Sequence, residues 1–106
     1  MEIIETKIFT QQVTKYLSNE KYRTFQIEIV RRPDCGPKIP GSGGLRKVRW
    51  GSEGRGKSGG VRVIYYWFTL DDKLLFLYMY PKNVQGDLTH DQLMVLRKVA
   101  EREIRP

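Results

Sequence analysis

"GSEGRGKSGGVRVIYYWF", residues 51 to 68, decides how this chain folds. Its first eight residues, Gly51 to Ser58, satisfy the phosphate-loop pattern G-x-x-x-x-G-K-S/T at every specified position. That pattern has physical meaning only where glycines and backbone N–H groups wrap phosphates at the start of a helix that follows a parallel strand. Here Ser58 is followed by two more glycines, poor helix formers, and then by VRVIYYWF, a β-branched and aromatic run with the composition of a strand. LRKVRW, just before Gly51, also reads as a strand. The segment is therefore strand, glycine-rich turn, strand. A hairpin places no helix dipole behind a phosphate, and no later strand ends in an aspartate that would hold magnesium. Nucleotide binding is set aside, and the Gly, Lys and Arg content of the turn needs another reason.

The charge distribution supplies one. Residues 31 to 62 hold nine basic residues against Asp34 and Glu53 alone, a net of +7, and the whole chain is also formally +7. All of the excess positive charge thus sits in the glycine-rich middle third, and the remainder balances to zero. A merely solvating surface would spread its charge along the chain. Concentration on one hairpin points to a polyanionic partner, of which nucleic acid is the commonest.

At 106 residues the chain is expected to form one domain, residues 1–106, with a single core that needs no disulfide staples. Cys35 is the lone cysteine and reads as an inert loop thiol. The acidic opening MEIIETKIFT lacks the basic-then-apolar layout of a signal peptide, and VIYYWF and LLFLYMY are too short to span a bilayer. A cytoplasmic protein without membrane partners is expected.

EIIETKIF reads as a first strand, with Thr10 as N-cap of a helix over QQVTKYL. SNEKYRTFQIEIVRR is ambiguous. Tyr22, Phe25 and Ile29 fall at helical spacing, whereas Phe25, Ile27 and Ile29 alternate as a strand would; we read it as helix. PDCGPKIPGSGG is a loop by its Pro and Gly density. Two hairpin-connected strands follow, Asp71–Asp72 makes the next turn, and KLLFLYMYPK supplies another strand. Thr89 with Gln92 forms a capping-box pattern, ahead of an apolar stripe of Leu93, Leu96, Ala100 and Ile104. The expected fold class is α+β, with an antiparallel four-stranded sheet, two N-terminal helices and one C-terminal helix.

Strand alternation sorts the basic residues. Lys47 and Arg49 share a face with Leu45, Arg46 points the other way with Val48 and Trp50, and Arg62 lies with Ile64, Tyr66 and Phe68. Antiparallel neighbours can bring Lys47, Arg49 and Arg62 together on one side of the sheet. Arg46, Lys57, Tyr80 and Lys82 are candidates for binding the substrate around them. His, Cys and acidic residues lack metal-ligand spacing, so no metal or other cofactor is expected. Such a patch can bind a phosphodiester backbone, with bases stacked on aromatic rings. It can also cleave RNA, because the substrate carries its own nucleophile in the 2′-OH. The protein then supplies a base and cations for the charge that develops on phosphorus. A lysine among arginines meets like-charge repulsion that favours its neutral form, which makes it a candidate base. On residue types alone, binding is favoured over catalysis.

IPGSGGLRKVRW, then GRGKSGGVRVIYYW, then LYMYPKN followed by DLTHDQLMVLRKVAERE, resembles the RelE/ParE toxin superfamily of bacterial type II toxin–antitoxin systems, and within it the HigB-type toxins. The likeness runs from about residue 39 to the end and rests on the ordered set, GGLR, GGVR, YPKN and DLT. It implies a compact α+β fold and metal-independent cleavage of mRNA in the ribosomal A site. It also implies a cognate antitoxin, often with a helix-turn-helix domain, that blocks the site and represses the shared operon, so operator DNA is reached only through the antitoxin. The family's two basic residues on the second strand fall on Lys47 and Arg49, and its arginine opening the third strand falls on Arg62; these three are the catalytic candidates. RelE itself carries an arginine after the last strand, where this chain has Lys82–Asn83, and a tyrosine near its C-terminus, where this chain has none past Tyr80. ParE-like members poison DNA gyrase and tend to lack the basic set on the sheet, so Lys47, Arg49 and Arg62 favour the ribonuclease. Gyrase inhibition and a non-catalytic nucleic-acid-binding module are the alternatives.

Overall fold

The elements run β1 (Glu2–Glu5), α1 (Lys7–Tyr16), α2 (Asn19–Arg31), β2 (Arg46–Trp50), β3 (Val61–Phe68), β4 (Lys73–Pro81) and α3 (His90–Ile104). The computed structural model describes residues 1–51, 60–83 and 86–104. β2 and β3 are antiparallel neighbours, with Trp50 opposite Val61, so the segment around Gly51 joins two paired strands as the sequence predicts. The turn between them, including Arg55 and Lys57, lies outside the described residues.

The sheet order is β1-β4-β3-β2. β3 is antiparallel to both of its neighbours, but β1 runs parallel to β4, with Glu2 opposite Lys73. The sheet is therefore mixed, and the expectation of a purely antiparallel sheet is corrected. The physical reason lies in connectivity. A tight turn dictates the direction of β3 and β4, whereas β1 reaches β4 only after two helices and two strands, and nothing local fixes its sense.

Helices cover both faces. Phe9 and Val13 of α1 and Phe25 and Ile29 of α2 pack on Val61, Val63, Tyr65, Leu74, Phe76 and Met79. Leu93, Leu96 and Ala100 of α3 pack on Leu45, Ile64, Phe68, Leu75 and Leu77. Double coverage explains why VRVIYYWF and KLLFLYMY are near-continuous apolar runs. The register slips between Ile64 and Tyr65, where Ile64 faces Tyr78 and Tyr65 faces Phe76. This bulge shifts the phase of β4, so Met79 joins the α1–α2 core and Tyr80 the α3 core.

The helical reading of residues 18–32 holds. Phe25 and Ile29 are buried while Ile27 is 55 % exposed, which a strand with all three on one face would not give. Ser18 caps this helix by accepting from Lys21 N at 3.1 Å. α1 begins earlier than expected: its cap is Thr6, which accepts from Phe9 N at 3.1 Å and donates to Leu77 O at 3.0 Å. Thr10 sits inside the helix, its hydroxyl turned to Glu5 and Thr6 O. Burying Phe9 and Val13, four residues apart, outweighs the strand-like look of KIF. α3 opens on the predicted capping box. Gln92 N donates to Thr89 Oγ1 at 3.1 Å, and Thr89 N to Gln92 Oε1 at 2.8 Å.

The loop from Pro33 to Leu45 is held against β2. Ile39 N donates to Leu45 O at 2.7 Å and Lys47 N to Pro37 O at 3.2 Å. Gly44 has φ +104°, and a Cβ there would lie 3.0 Å from the Tyr66 ring, so the GGLR turn requires glycine. Buried Tyr65 anchors the loop: its hydroxyl accepts from Gly36 N at 3.0 Å and donates to Pro33 O at 2.7 Å. Gly36 packs so closely that a Cβ would come within 2.8 Å of Lys47 O.

Tyr65→Phe strands both backbone groups and is expected to cost about 1–3 kcal/mol, read by urea unfolding. Burial raises the phenol pKa of Tyr65, and burial with the hydrogen bond to Glu5 raises that of Tyr22. The folded pKa exceeds the unfolded value of 10.0, so this stability is complete below pH 10 and lost above it. Thermal scans should show Tm falling from about pH 10 upward, less steeply in Tyr65→Phe.

Candidate functional site

Register brings the cations together. On adjacent strands Arg49 lies opposite Arg62 and Lys47 opposite Ile64, and Arg62 lies opposite Tyr80 on β4. Lys47, Arg49 and Arg62 thus share the α3 side of the sheet, as alternation predicts, at the end beyond the buried stripe of α3. Like charges directly opposite in a sheet are destabilising. Arg62 is also 6 % exposed, the only buried charged side chain among the described residues, and its Nε has no hydrogen-bond partner. A charge so placed is costly unless it is paired.

A carboxylate answers it. Asp87 Oδ1 stands 2.8 Å from Lys47 Nζ and 3.8 Å from Arg62 Nη1. The hydrogen bond from Lys47 and its charge, with smaller contributions from Arg62 and Arg49, hold the Asp87 carboxyl below its usual range. The sequence reading missed Asp87. Its one signal is position, two residues ahead of the Thr89 cap, where the chain returns from the basic end of β4 to start α3. Lys47 is accordingly not in the purely cationic surroundings the sequence suggests.

Two hollows flank the cluster. A cavity of about 340 Å³ is lined by Lys38, Ile39, Lys47, Ile64, Tyr80, Asp87 and neighbouring prolines and leucines. A cleft of about 190 Å³ is lined by Arg49, Trp50, Arg62 and Lys82 with the backbone around Gly60. Lys82 N donates to Gly60 O at 3.1 Å, which brings this exposed lysine beside Arg49 and Arg62.

One sequence candidate falls elsewhere. Arg46 lies on the opposite face, where its Nη1 donates to Gly36 O at 2.9 Å and its guanidinium lies 5.9 Å from the Trp67 ring. It fastens the loop to β2 and is turned away from the cluster, because neighbouring strand residues alternate. Tyr80 stays with the cluster: it lies opposite Arg62 and lines the cavity with Lys47 and Asp87, with 3 % of it exposed. Lys57 lies outside the described residues.

Three cations on one sheet face, a fourth on the adjoining turn and two flanking hollows make a charge arrangement on a small α+β protein that suits a phosphodiester. The chain matches the family described as the RelE toxin of the RelE/RelB toxin–antitoxin system over residues 1–105, and it belongs to that family. It is thereby the toxin of a type II toxin–antitoxin system, an mRNA interferase with endoribonuclease activity, whose counterpart is a cognate antitoxin. Among solved structures it is similar to a free-state double arginine-to-alanine mutant of E. coli toxin RelE. The TM-score is 0.60 at 13% sequence identity, covering 98% of this chain and 97% of that one, a likeness of fold.

If Arg62 stabilises charge at the reacting phosphate, Arg62→Ala should lower cleavage by about 10²–10³-fold and abolish growth arrest. Circular dichroism should show the fold retained; full toxicity from such a folded variant would remove Arg62 from the site.

Proposed function

We propose that this toxin cuts mRNA on the ribosome by a metal-independent transesterification carried by Lys47, Arg49 and Arg62. The observation that carries this reading is the Arg49–Arg62 juxtaposition beside Lys47, a repulsive arrangement that a bound phosphodiester would relieve. The 2′-OH attacks the adjacent phosphorus, so the O2′–P bond forms and the P–O5′ bond breaks. Lys47 holds the phosphate as an ammonium; the fraction of it that has lost its proton to water takes the 2′-OH proton, and water returns a proton to the departing 5′ oxygen. Arg49 and Arg62 balance the added negative charge, which is greatest in the transition state. Lys82 holds a neighbouring phosphate in the cleft it shares with Arg49. Arg46 is left with a structural role.

Among the described residues no three of His, Cys, Asp and Glu come together to hold a metal ion. The HigB-like motifs support a cognate antitoxin with a helix-turn-helix domain that covers the site and carries the pair to operator DNA. Among the described residues no helix is long and apolar enough to cross a membrane. Translation is cytoplasmic, and the toxin acts there.

Incubation with translating ribosomes, followed by mapping of new mRNA 5′ ends, tests the reading. The products should be a 2′,3′-cyclic phosphate, or its opened 3′-phosphate, and a 5′-hydroxyl, and magnesium chelation should not inhibit beyond its effect on ribosomes. A 2′-deoxyribose 5′ to the scissile phosphate should stop cleavage and leave binding nearly unchanged. Lys47→Arg keeps the positive charge but should lose most of the rate, because a guanidinium does not give up its proton. Cleavage of the deoxy-substituted message, or full activity of Lys47→Arg, would refute the mechanism. Gyrase inhibition without message cleavage would refute the activity.

A further inference from the structure

We propose that Asp87 is a built-in competitor for the substrate phosphate. In the RNA-free toxin its carboxylate holds Lys47 and Arg62, and an incoming phosphodiester must displace it. The inference rests on the reading that these two cations bind phosphate.

Carboxylate and phosphate oxygens are satisfied by the same charged donors, so the 2.8 Å contact to Lys47 and the 3.8 Å contact to Arg62 occupy positions a phosphate would take. Exposure is graded across the cluster. The Asp87 side chain is 78% exposed, that of Lys47 27% and that of Arg62 7%. The acid therefore lies on the solvent side of the cations and can turn into water without opening the core. Its backbone is tethered two residues ahead of the reciprocally capped start of α3, which keeps the carboxylate within reach.

No ion pair engages Arg49 or Lys82 among the described residues, so these cations of the neighbouring cleft are open to a first phosphate. Stray RNA that makes only that contact meets a closed Lys47–Arg62 pair. An RNA held by further contacts, as a message is on the ribosome, can drive the exchange. Asp87 thus suppresses indiscriminate RNA binding by a chain of net charge +7.

The test measures binding of a short 2′-O-methyl oligoribonucleotide, which cannot be cleaved, to ribosome-free toxin at low salt. Asp87→Asn should tighten the Kd by about tenfold. Glu103→Gln, at the exposed far end of α3, changes net charge identically and should tighten it less than about threefold. Lys47→Gln should weaken binding, and adding Asp87→Asn to it should restore little. If Lys47→Gln weakens binding but Asp87→Asn is no tighter than Glu103→Gln, the competitor role is refuted while the phosphate site stands. If Lys47→Gln leaves binding unchanged, the phosphate-site reading itself fails. Single-turnover cleavage on saturating ribosomes should be kept or raised in Asp87→Asn; a large loss there with unchanged binding would make Asp87 a proton-transfer group and overturn the proposal.

Discussion

Arg62 carries a charge into a sheet whose other central side chains are apolar, and a charge there is costly unless it is neutralised. Its cross-strand partner is another arginine, Arg49, which adds repulsion. Much of the local architecture follows from meeting that demand. Asp87 approaches from ahead of α3 to meet it, while Lys47 draws on the same carboxylate and Lys82 adds a further cation at the neighbouring turn. A core position that favours an anion over its own apolar surroundings is stable to the degree that an anion is supplied. In the isolated molecule the chain supplies it; in the mechanism proposed above the substrate does so during the reaction.

The scaffold that holds this charge was readable where local physics decides and opaque where distant parts meet. β3 spans Val61–Phe68, the β-branched and aromatic run itself, because composition and double burial agree there. The α3 capping box was legible because Thr89 and Gln92 are three residues apart and act on each other. Alternation placed Lys47, Arg49 and Arg62 on one face without any knowledge of the third dimension. The parallel sense of β1 was not legible, since a strand's pattern is the same in either direction and no turn links it to β4. The start of α1 was displaced by a turn because Thr6 and Thr10 are equally good caps, and only the contact from Thr6 to Leu77 O selects between them.

The site shows the same division. Which residues are cationic and which way they face is a property of two short strands. Asp87 belongs to the cluster through a separation of 40 positions from Lys47, and no sequence spacing announces such a meeting. Tyr80 reaches the cluster's side of the sheet only because the bulge beside Ile64 changes the phase of β4, a one-residue slip that alternation alone cannot foresee. Arg46 was credited to the site for its charge. Its role is set by the face it occupies, where it secures the Pro33–Leu45 loop beneath the site.

The position of β2 at the margin of the sheet has a consequence for how the molecule behaves in a crowd. An outer strand exposes unpaired N–H and C=O groups to which another chain can add. In this protein the first half of that margin is shielded by the Pro37–Ile39 segment, whose proline cannot donate. The second half carries Arg49, with Lys47 beside it, and two copies aligning there would set like charges against each other. The side chains proposed to take the phosphate thus also set repulsion against strand addition at this edge, so colloidal stability and the proposed chemistry draw on the same few ammonium and guanidinium groups.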